Sequence, residues 1–373
     1  MTKLIIKTPY QKEQIKREFF QQLRGAKGFT KGSVHAFADA IAQWQTFTKN
    51  EDFSLFTKEK ATSFVEWLNS RPSKTKTRKL ALVTQDNYLR RVKKFFEWLS
   101  QQKGYKNKIS KLDTEWLRLS KADASIARMG TRRKEPTLEE IKTIIQNIKG
   151  NSEVEMRDRA LVCLAVITGA RVSALASLKM KSFDKKTNII FQNPKDGVKT
   201  KNTKLIPTMF FPIGWNEPEQ YFIEWYEYLE SKGFTSDDPI FPATANRFAN
   251  KDSYSKELVG KDLWSSSGSA RRIFQKRCLN AGVTYFNPHS FRRLVVDILM
   301  ERTLTEKDKK AISLNLGHEN IATTFDSYGY STMTHDEVIE TIKNLKKSGK
   351  EVSLNSLTKQ ELKVIMAMRD INK

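Results

Sequence analysis

Residues 288–330, PHSFRRLVVDILMERTLTEKDKKAISLNLGHENIATTFDSYGY, hold the densest group of chemically reactive side chains in this chain. The group includes two of the four histidines and consists of His289, Arg292, His318 and Tyr328. His289 and Arg292 are three residues apart and therefore share one face of a helix. Such a face can meet a phosphate with hydrogen bonds and a fixed positive charge. The tyrosine that follows is a candidate nucleophile.

The composition favours a two-domain protein with a polyanionic partner. The chain has 373 residues, of which 39% are hydrophobic, enough to fill two cores. Its 66 Lys and Arg residues outnumber 42 Asp and Glu residues and give a formal charge of +24. Because the basic residues are spread along the whole chain, nucleic acid is favoured over a membrane surface.

Cysteine usage and hydropathy indicate the compartment. Cys163 and Cys278 lie far apart, so neither a disulfide framework nor a zinc cluster is expected. The longest apolar run, residues 160–170, is shorter than the ~20 residues of a membrane span. The N-terminus offers no signal-peptide core before its charges begin. We therefore expect a cytoplasmic protein in a reducing compartment that contains DNA.

The N-terminal third is predicted to be a helical bundle. Its apolar residues recur at intervals of three and four, without an alternating strand pattern. Helices are predicted over residues 11–23 and 30–50, after an N-cap at Thr57, and after an N-cap at Thr84. A further helix begins after Thr137, and we place the domain boundary near Lys134.

Three basic segments are candidate DNA contacts, with solvated surface charge as the alternative. The first two are a loop between predicted helices and a linker, and they contain Lys74, Lys76, Arg78, Lys79, Arg128, Arg132, Arg133 and Lys134. The third is a capped helix in which Arg271, Arg272, Lys276 and Arg277 are predicted to be exposed.

The C-terminal two thirds contain a buried helix and a lysine-bearing hairpin. The run MRDRALVCLAVITGARVSALASLKM predicts a buried helix that breaks at Thr168 and Gly169, with a second helix after Arg171. An arginine at such a break needs an anionic partner, either a ligand or a structural carboxylate. Two short strands, NIIFQN and TKLIPT, flank a hairpin whose lysines can deliver a proton to a leaving oxygen.

Taken together, TGARVSAL, KTKNTKLIPT, HSFRR and LGHENIATTFDSY, behind a basic helical bundle, resemble the tyrosine recombinases, the group of lambda integrase, Cre and the Xer proteins. The resemblance covers residues 61–330 and implies a mainly α protein. Residues 1–134 would form an all-α, SAM-like core-binding domain with a basic linker. Residues 135–330 would form a mixed α/β catalytic domain with a small antiparallel sheet, and both domains would close as a C-shaped clamp on DNA.

The resemblance also implies a role for each site residue. Arg171 and Arg292 would clamp the scissile phosphate and stabilise charge on its non-bridging oxygens. His289 would donate to the phosphate or assist proton transfer, and His318 would be an additional hydrogen-bond donor. No metal or other cofactor is implied, since the arginines supply the positive charge.

Tyr328 would attack phosphorus and form a 3′-phosphotyrosyl link. The spacing from the preceding threonine pair favours Tyr328 over Tyr330. The resemblance assigns Lys199 as the general acid from its distance to the Ile-Pro pair that follows the hairpin, and it leaves Lys195 and Lys201 open.

One position departs from the family pattern. An acidic residue commonly lies three positions after the first arginine, where this chain has Ala174. The preorganisation of Arg171 is therefore in question.

The resemblance implies a site-specific recombinase, an integrase or transposase of a mobile element or phage in the bacterial cytoplasm. The alternatives are a type IB topoisomerase and a non-cleaving architectural or regulatory DNA-binding protein. The expected partners are double-stranded DNA with specific recombination sites, further copies in a tetramer on two sites, and accessory DNA-bending proteins. Residues 331–373 are predicted to form a helical tail with two helices, one of which would dock on a neighbouring protomer, with folding back on their own domain as the alternative. No separate arm-binding domain is expected at the N-terminus.

Overall fold

The computed structural model describes residues 8–73, 78–129, 134–245, 258–302 and 304–324. The chain divides into two compact units, Met1–Arg133 and Lys134–Lys373. Each unit buries a hydrophobic core of its own. Across the described residues, no helix combines the length and the apolar character that crossing a membrane requires.

The described residues of unit one form a helical bundle, as the apolar periodicity predicts. Its helices are α1 (Pro9–Gly25), α2 (Lys31–Phe47), α3 (Lys58–Ser70), α4 (Leu82–Leu99) and α5 (Lys121–Met129). Short 3-10 turns lie at Phe53–Leu55 and Leu112–Trp116. The second turn and α5 fall in a stretch that the sequence marks only as basic, because its charged residues obscure the apolar period.

Aromatic side chains fill the core of unit one. Phe96 of α4 stacks on Phe56 with ring centroids 4.1 Å apart. Trp44 of α2 packs its ring against Phe96 at 4.9 Å and against Phe64 of α3 at 5.0 Å. Each such ring buries a large apolar area, and edge-to-face pairs add a favourable term beyond that burial. One aromatic cluster therefore holds three helices together.

The predicted start of α4 is wrong. The helix begins at Leu82, two residues before Thr84, and its N-cap Ala81 makes no side-chain capping bond. The buried Gln85 side chain donates a hydrogen bond from Nε2 to the carbonyl of Leu80 at 2.8 Å. A local contact from a side-chain amide thus fixes the chain at the helix start, where sequence rules look for a hydroxyl cap.

Unit two is a mixed α/β domain. Its helices are α6 (Leu138–Asn147), α7 (Glu153–Thr168), α8 (Val172–Leu175), α9 (Glu217–Ser231), α10 (Ser267–Asn280), α11 (Pro288–Met300), α12 (Glu306–Asn315) and α13 (Ile321–Thr324). Helix α6 begins as predicted. Thr137 accepts a hydrogen bond from the backbone N–H of Glu140, whose side chain accepts one from Thr137 in return.

Three short strands form an antiparallel sheet in the order β1-β2-β3. They are β1 (Phe183–Asp184), β2 (Ile189–Gln192) and β3 (Ile206–Met209). In the register of the central pair, Ile190 faces Thr208. The hairpin strands β2 and β3 were predicted, whereas β1 is too short to show an alternating pattern.

Helix α7 runs through the core of unit two and ends where the sequence predicts. All its residues from Ala160 to Thr168 are buried, and Gly169 ends it with a φ of 58°. A Cβ added to Gly169 would lie 2.8 Å from the side chain of Leu316, which follows α12. The glycine therefore permits both the turn and the close approach of the α12 end.

Gly317 provides a test of how tightly the α12 end packs on the sheet. Its φ is 74°, and a Cβ there would overlap the side chain of Ile206 in β3. Gly214 has the same φ of 74° with nothing within 4 Å of the added Cβ, so it is a matched control. Gly214→Ala should lower the free energy of unfolding by about 1–2 kcal/mol from backbone strain alone. Gly317→Ala should lower it by a further ~1–3 kcal/mol from overpacking.

Urea denaturation of both variants measures this difference. If both variants lost the same free energy of unfolding, the Ile206 side chain would be shown to move aside without an energetic penalty. The contact between Gly317 and Ile206 would then not constrain the site.

Candidate active site

Four of the predicted site residues lie at helix ends that meet in unit two. Arg171 is the N-cap residue of α8. His289 lies in the first turn of α11, and Arg292 follows it on the same helix. His318 comes shortly after the end of α12. Residues as much as 147 positions apart in sequence, Arg171 and His318, are thereby in direct contact.

Arg292 is the buried centre of this group, with 2% of its surface exposed. Its Nη1 donates to the carbonyl of Gly169 at 2.9 Å, and its Nη2 donates to the carbonyl of Leu316. These carbonyls belong to the ends of α7 and α12, where helices present partial negative charge. Carbonyl oxygens at two helix ends therefore help to compensate this buried guanidinium.

His318 accepts hydrogen bonds from both arginines. Its Nε2 lies 2.7 Å from Nη2 of Arg292 and 3.2 Å from Nη2 of Arg171. Burial, followed by the charges of Arg292 and Arg171, lowers the pKa of His318 to about 3. The imidazole is therefore neutral at physiological pH, and the two guanidinium groups keep their positive charge next to it.

The local backbone explains why Arg171 projects from the end of α7. The Thr168 hydroxyl donates to the carbonyl of Leu164 and accepts from the N–H of Ala170 at 3.2 Å, which closes the helix end. Arg171 then has an extended conformation, with φ −69° and ψ 141°, and its side chain is half-buried. The predicted break of α7 therefore sets the direction of the first arginine.

His289 lies at the exposed edge of the group. Asn287 caps α11 by accepting a hydrogen bond from the backbone N–H of His289 at 3.1 Å. Partial burial of the ring, then the charges of Arg292 and Arg171, lowers the pKa of His289. Both histidines of the group are thus shifted toward their neutral forms by the same pair of arginines.

The three hairpin lysines are all exposed. The backbone N–H of Lys199 donates to the Ser177 hydroxyl at 2.8 Å, which ties the hairpin to the segment after α8. The positive charge of Lys201 contributes to lowering the pKa of His318, so this lysine also acts on the site. The backbone N–H of Lys195 donates to Asn193 Oδ1 at 3.1 Å. Lys199, Lys201 and Lys195 all remain candidates for the proton donor.

Ala174 occupies the position of the expected acid and is buried, with 1% exposed. The carbonyl of Ala174 accepts from the Ser177 hydroxyl at 3.1 Å. Ser177 also donates to the carbonyl of Ser173 at 2.8 Å. A serine one helical turn beyond the missing acid therefore links α8 to the lysine hairpin.

Sequence reasoning missed Ser177 and a second hydroxyl pair, Ser313 and Thr324. Thr324 Oγ1 lies 2.9 Å from Nδ1 of His318 and donates to Ser313 Oγ at 3.0 Å. Both hydroxyls are completely buried. The one available signal was a pair of hydroxyl residues five and six positions from His318, a pattern too common to single out.

The basic candidates are only partly covered by the described residues. Arg78, Lys79, Arg128, Lys134, Arg271 and Arg272 are exposed, as contacts with a DNA backbone would require. Lys134 pairs with Glu140 at 2.8 Å. Outside the described residues lie Lys74, Lys76, Arg132, Arg133 and the candidate nucleophile Tyr328.

The prediction that Arg277 is exposed is wrong. Only 4% of Arg277 is exposed, and its Nε donates to Asp158 at 2.9 Å. Asp158 also binds Arg157, at 2.7 Å. Arg277 lies on the inner face of α10, where Asp158 and Glu155, the latter at 3.2 Å, balance its charge, so its role is structural.

A second carboxyl cluster lies on α11 near the beginning of unit two. Arg293 pairs with Glu135 at 2.7 Å. Burial, followed by the charge of Glu135, raises the pKa of Asp297 to about 7, and Arg293 offsets only part of this shift. Asp297 and Glu135 therefore compete for one cation on the helix that carries His289 and Arg292.

Comparison with known proteins gives a consistent result. Residues 136–335 match the model of the phage integrase family. The tyrosine recombinase XerC of Lactobacillus delbrueckii subsp. bulgaricus is 27% identical over 265 residues, which are 69% of this chain and 75% of the relative. The tyrosine recombinase XerA of Pyrococcus furiosus is 27% identical over 188 residues, which are 50% of this chain and 54% of the relative.

Solved structures share the fold. A lambda integrase dimer bound to a core site aligns with a TM-score of 0.57 and 16% identity, covering 86% of this chain and 95% of that one. A lambda integrase tetramer bound to a Holliday junction aligns with a TM-score of 0.53 and 14% identity, covering 83% and 77%. The Tn1549 transposon integrase with transposon right end DNA aligns with a TM-score of 0.51 and 15% identity, covering 89% and 99%.

The Asp297 cluster predicts an unusual pH dependence of stability. The pKa of Asp297 is about 7 in the folded protein against 3.8 for the free side chain, so between these values the folded state holds a proton that the unfolded state has released. Stability from this group is therefore highest below pH 4 and is lost as the pH rises to about 7. Asp297→Asn, which cannot ionise, should raise the free energy of unfolding at pH 8 by about 1–3 kcal/mol. The gain should vanish near pH 4.

Asp308→Asn is the control of opposite sign. Hydrogen bonds from Thr305 lower the pKa of Asp308, so its contribution is present at pH 8 and lost in acid. Denaturation curves at several pH values should show the two variants shifting in opposite directions at pH 8. A destabilised Asp297→Asn protein at pH 8 would contradict this assignment.

Proposed function

Because this chain belongs to the phage integrase family, we propose that it is a tyrosine-type site-specific DNA recombinase with Tyr328 as its nucleophile. Its relatives are named tyrosine recombinases, and a transposon integrase shares its fold. The chain would thus cut and rejoin DNA strands as the integrase or transposase of a mobile element or phage.

One observation carries the proposal, namely the convergence of two guanidinium groups on a single neutral acceptor, His318 Nε2. Two like charges held together in a partly buried site repel each other, and an anion relieves that repulsion. A guanidinium presents its N–H groups in a planar fork that matches phosphate oxygens. Arg171 and Arg292 therefore suit a phosphodiester.

In the proposed chemistry the same side chains serve cleavage of the DNA strand and its rejoining. Tyr328 attacks phosphorus, the 3′-phosphotyrosyl bond forms, and the bond to the 5′ oxygen breaks. Lys199 gives that oxygen its proton, while His289 helps remove the proton of the tyrosine. The arginines stabilise the negative charge that builds on the non-bridging oxygens. Rejoining reverses the same steps with a 5′-hydroxyl as the nucleophile.

The proposed partners are double-stranded DNA and further copies of the chain. The formal charge of +24 favours binding to a polyanion, and the exposed arginines of α10 are candidate backbone contacts. A lambda integrase with this fold has been solved as a tetramer on a Holliday junction. For this chain we propose a tetramer on two recombination sites, in which a tail helix beyond residue 330 links the protomers. We also propose a cytoplasmic location and accessory DNA-bending proteins as further partners.

Trapping of the covalent intermediate tests the nucleophile. Random-sequence duplexes with a nick lose the short 5′-hydroxyl fragment after cleavage, so the protein stays attached to DNA on a denaturing gel. The wild-type chain should form such adducts, and sequencing them would identify the target. Tyr328→Phe should form none while binding the same DNA.

Tyr330→Phe is the matched control and should form adducts at the wild-type rate. Adducts that persist in Tyr328→Phe, or that disappear only in Tyr330→Phe, would contradict the assignment.

A sulfur-substituted substrate tests the general acid. Lys199→Ala should slow cleavage of the captured DNA by about 10²- to 10⁴-fold. A 5′-bridging phosphorothiolate should restore its rate, because a thiol, with a pKa of about 8.5, leaves without a proton.

The comparison with Lys201→Ala decides between the two lysines. We expect Lys201→Ala to lose less cleavage activity than Lys199→Ala, and we expect the phosphorothiolate substrate not to raise its cleavage rate. Rescue of Lys201→Ala together with failure to rescue Lys199→Ala would transfer the role to Lys201.

A further inference from the structure

The hydrogen bonds around His318 continue in a chain that the chemistry above does not use. On one side of the ring, Nε2 faces Nη2 of Arg292 at 2.7 Å and Nη2 of Arg171 at 3.2 Å. On the other side, Nδ1 faces Thr324 Oγ1 at 2.9 Å. Thr324 is hydrogen-bonded to Ser313 at 3.0 Å, and Ser313 reaches the carbonyl of Asn320 at 3.2 Å.

The chemistry of the partners fixes the direction of every bond in this chain. A guanidinium only donates, so Nε2 must accept and carries no hydrogen. The ring is neutral, so its one hydrogen is on Nδ1 and is donated to Thr324. Thr324 then donates its proton to Ser313, which donates its own to a backbone carbonyl. The free protein therefore holds His318 as the Nδ1–H tautomer.

This tautomer cannot act as the hydrogen-bond donor that the family resemblance expects at Nε2. When a phosphate takes the N–H groups of the two arginines, Nε2 loses those donors and faces an anionic oxygen. A neutral ring then needs its hydrogen on Nε2, with Nδ1 as an acceptor. Nδ1 releases one proton to solvent and Nε2 takes one proton from solvent, so the number of bound protons and the charge of the ring are unchanged.

A hydroxyl is the group that can serve both tautomers. Thr324 accepts from Nδ1–H in the free protein and, by rotating its O–H bond, can donate to an unprotonated Nδ1. Ser313 keeps its donation to a backbone carbonyl in both arrangements. A carboxylate at this position would only accept and would fix the Nδ1–H form. Valine, which has the same shape, would serve neither form.

We propose that Thr324, supported by Ser313, is a positioning residue that lets His318 accept from the arginine pair in the free enzyme and donate to the phosphate in the DNA complex. The proposal rests on the recombinase function proposed above. It accounts for two completely buried hydroxyls packed against the imidazole.

Nuclear magnetic resonance of ¹⁵N-labelled imidazoles reads the tautomer directly. The chain has four histidines, so the His318 signal can be assigned by comparison with His318→Gln. The free protein should show Nδ1–H. Tyr328→Phe, which should stall before cleavage, should show Nε2–H when bound to a duplex recovered from the adduct screen. An Nε2–H ring in the free protein, or an unchanged or doubly protonated ring in the complex, would overturn the switch.

Cleavage rates test the role of the hydroxyl. Thr324→Val should slow adduct formation by about 10- to 100-fold, the range seen when a group that orients an active-site histidine is removed. Thr324→Ser keeps the hydroxyl and should recover most of the rate. In a His318→Gln background, which has no Nδ1, Thr324→Val should cost less than twofold. The proposal would be overturned if Thr324→Val cleaved at the wild-type rate, or if Thr324→Ser lost as much cleavage rate as Thr324→Val. It would also be overturned if Thr324→Val reduced the rate as strongly in the His318→Gln background as in the wild type.

Two controls separate this proposal from the function on which it rests. Absence of adducts with the wild-type chain counts against the recombinase, whereas normal adducts with unaffected threonine variants count against the positioning role alone. If Thr324→Val fails to fold, Ser313→Ala provides the test. Without the Ser313 hydroxyl, Nδ1 of His318 is the remaining acceptor for the Thr324 proton within this hydrogen-bond network. The fraction of His318 in the Nε2–H form should therefore rise in the free protein. An unchanged fraction would contradict the proposed hydrogen-bond network.

Discussion

The hydrogen bonding of the buried Arg292 guanidinium is the constraint on which the site depends. It spans the carbonyl of Gly169, 123 residues earlier in the chain, the carbonyl of Leu316, and the imidazole of His318. Burying a positive charge is costly unless it is compensated, and here the carbonyl oxygens of two helix ends provide compensation without a full negative charge. The guanidinium is thus held in the interior by groups from separated segments of unit two.

Unit two uses buried arginines in two distinct ways. Arg157 and Arg277 share the carboxylate of Asp158, at 2.7 and 2.8 Å, and Glu155 pairs with Arg277 at 3.2 Å, so two carboxylates balance two guanidinium groups and connect α7 to α10. Arg292 is bonded to carbonyls and to a neutral histidine. The two environments differ although all three side chains are hidden from water.

The same positive charges control the state of the histidines and the precision of the site. Burial, together with these charges, holds His318 neutral, and the buried hydroxyl of Thr324 lies against its Nδ1. Close packing supports this arrangement, because Gly169 and Gly317 allow the end of α12 to lie directly against α7 and β3. A site assembled from helix ends is therefore as rigid as the core that positions those ends.

The sequence by itself determined the local features and the family. The Thr137 cap located α6, an apolar run located α7, two short strand segments located the β2–β3 hairpin, and the ordered motifs indicated the phage integrase family. The sequence-based prediction failed at the start of α4, where a side-chain amide contact from Gln85 stands in place of the expected hydroxyl cap. It also failed at Arg277, whose burial depends on Asp158, 119 residues away. Only the tertiary structure decided which arginine receives a carboxylate, which receives carbonyls, and which hydroxyls face His318. Periodicity reports that a side chain is buried, but the partner it meets there is set by long-range packing.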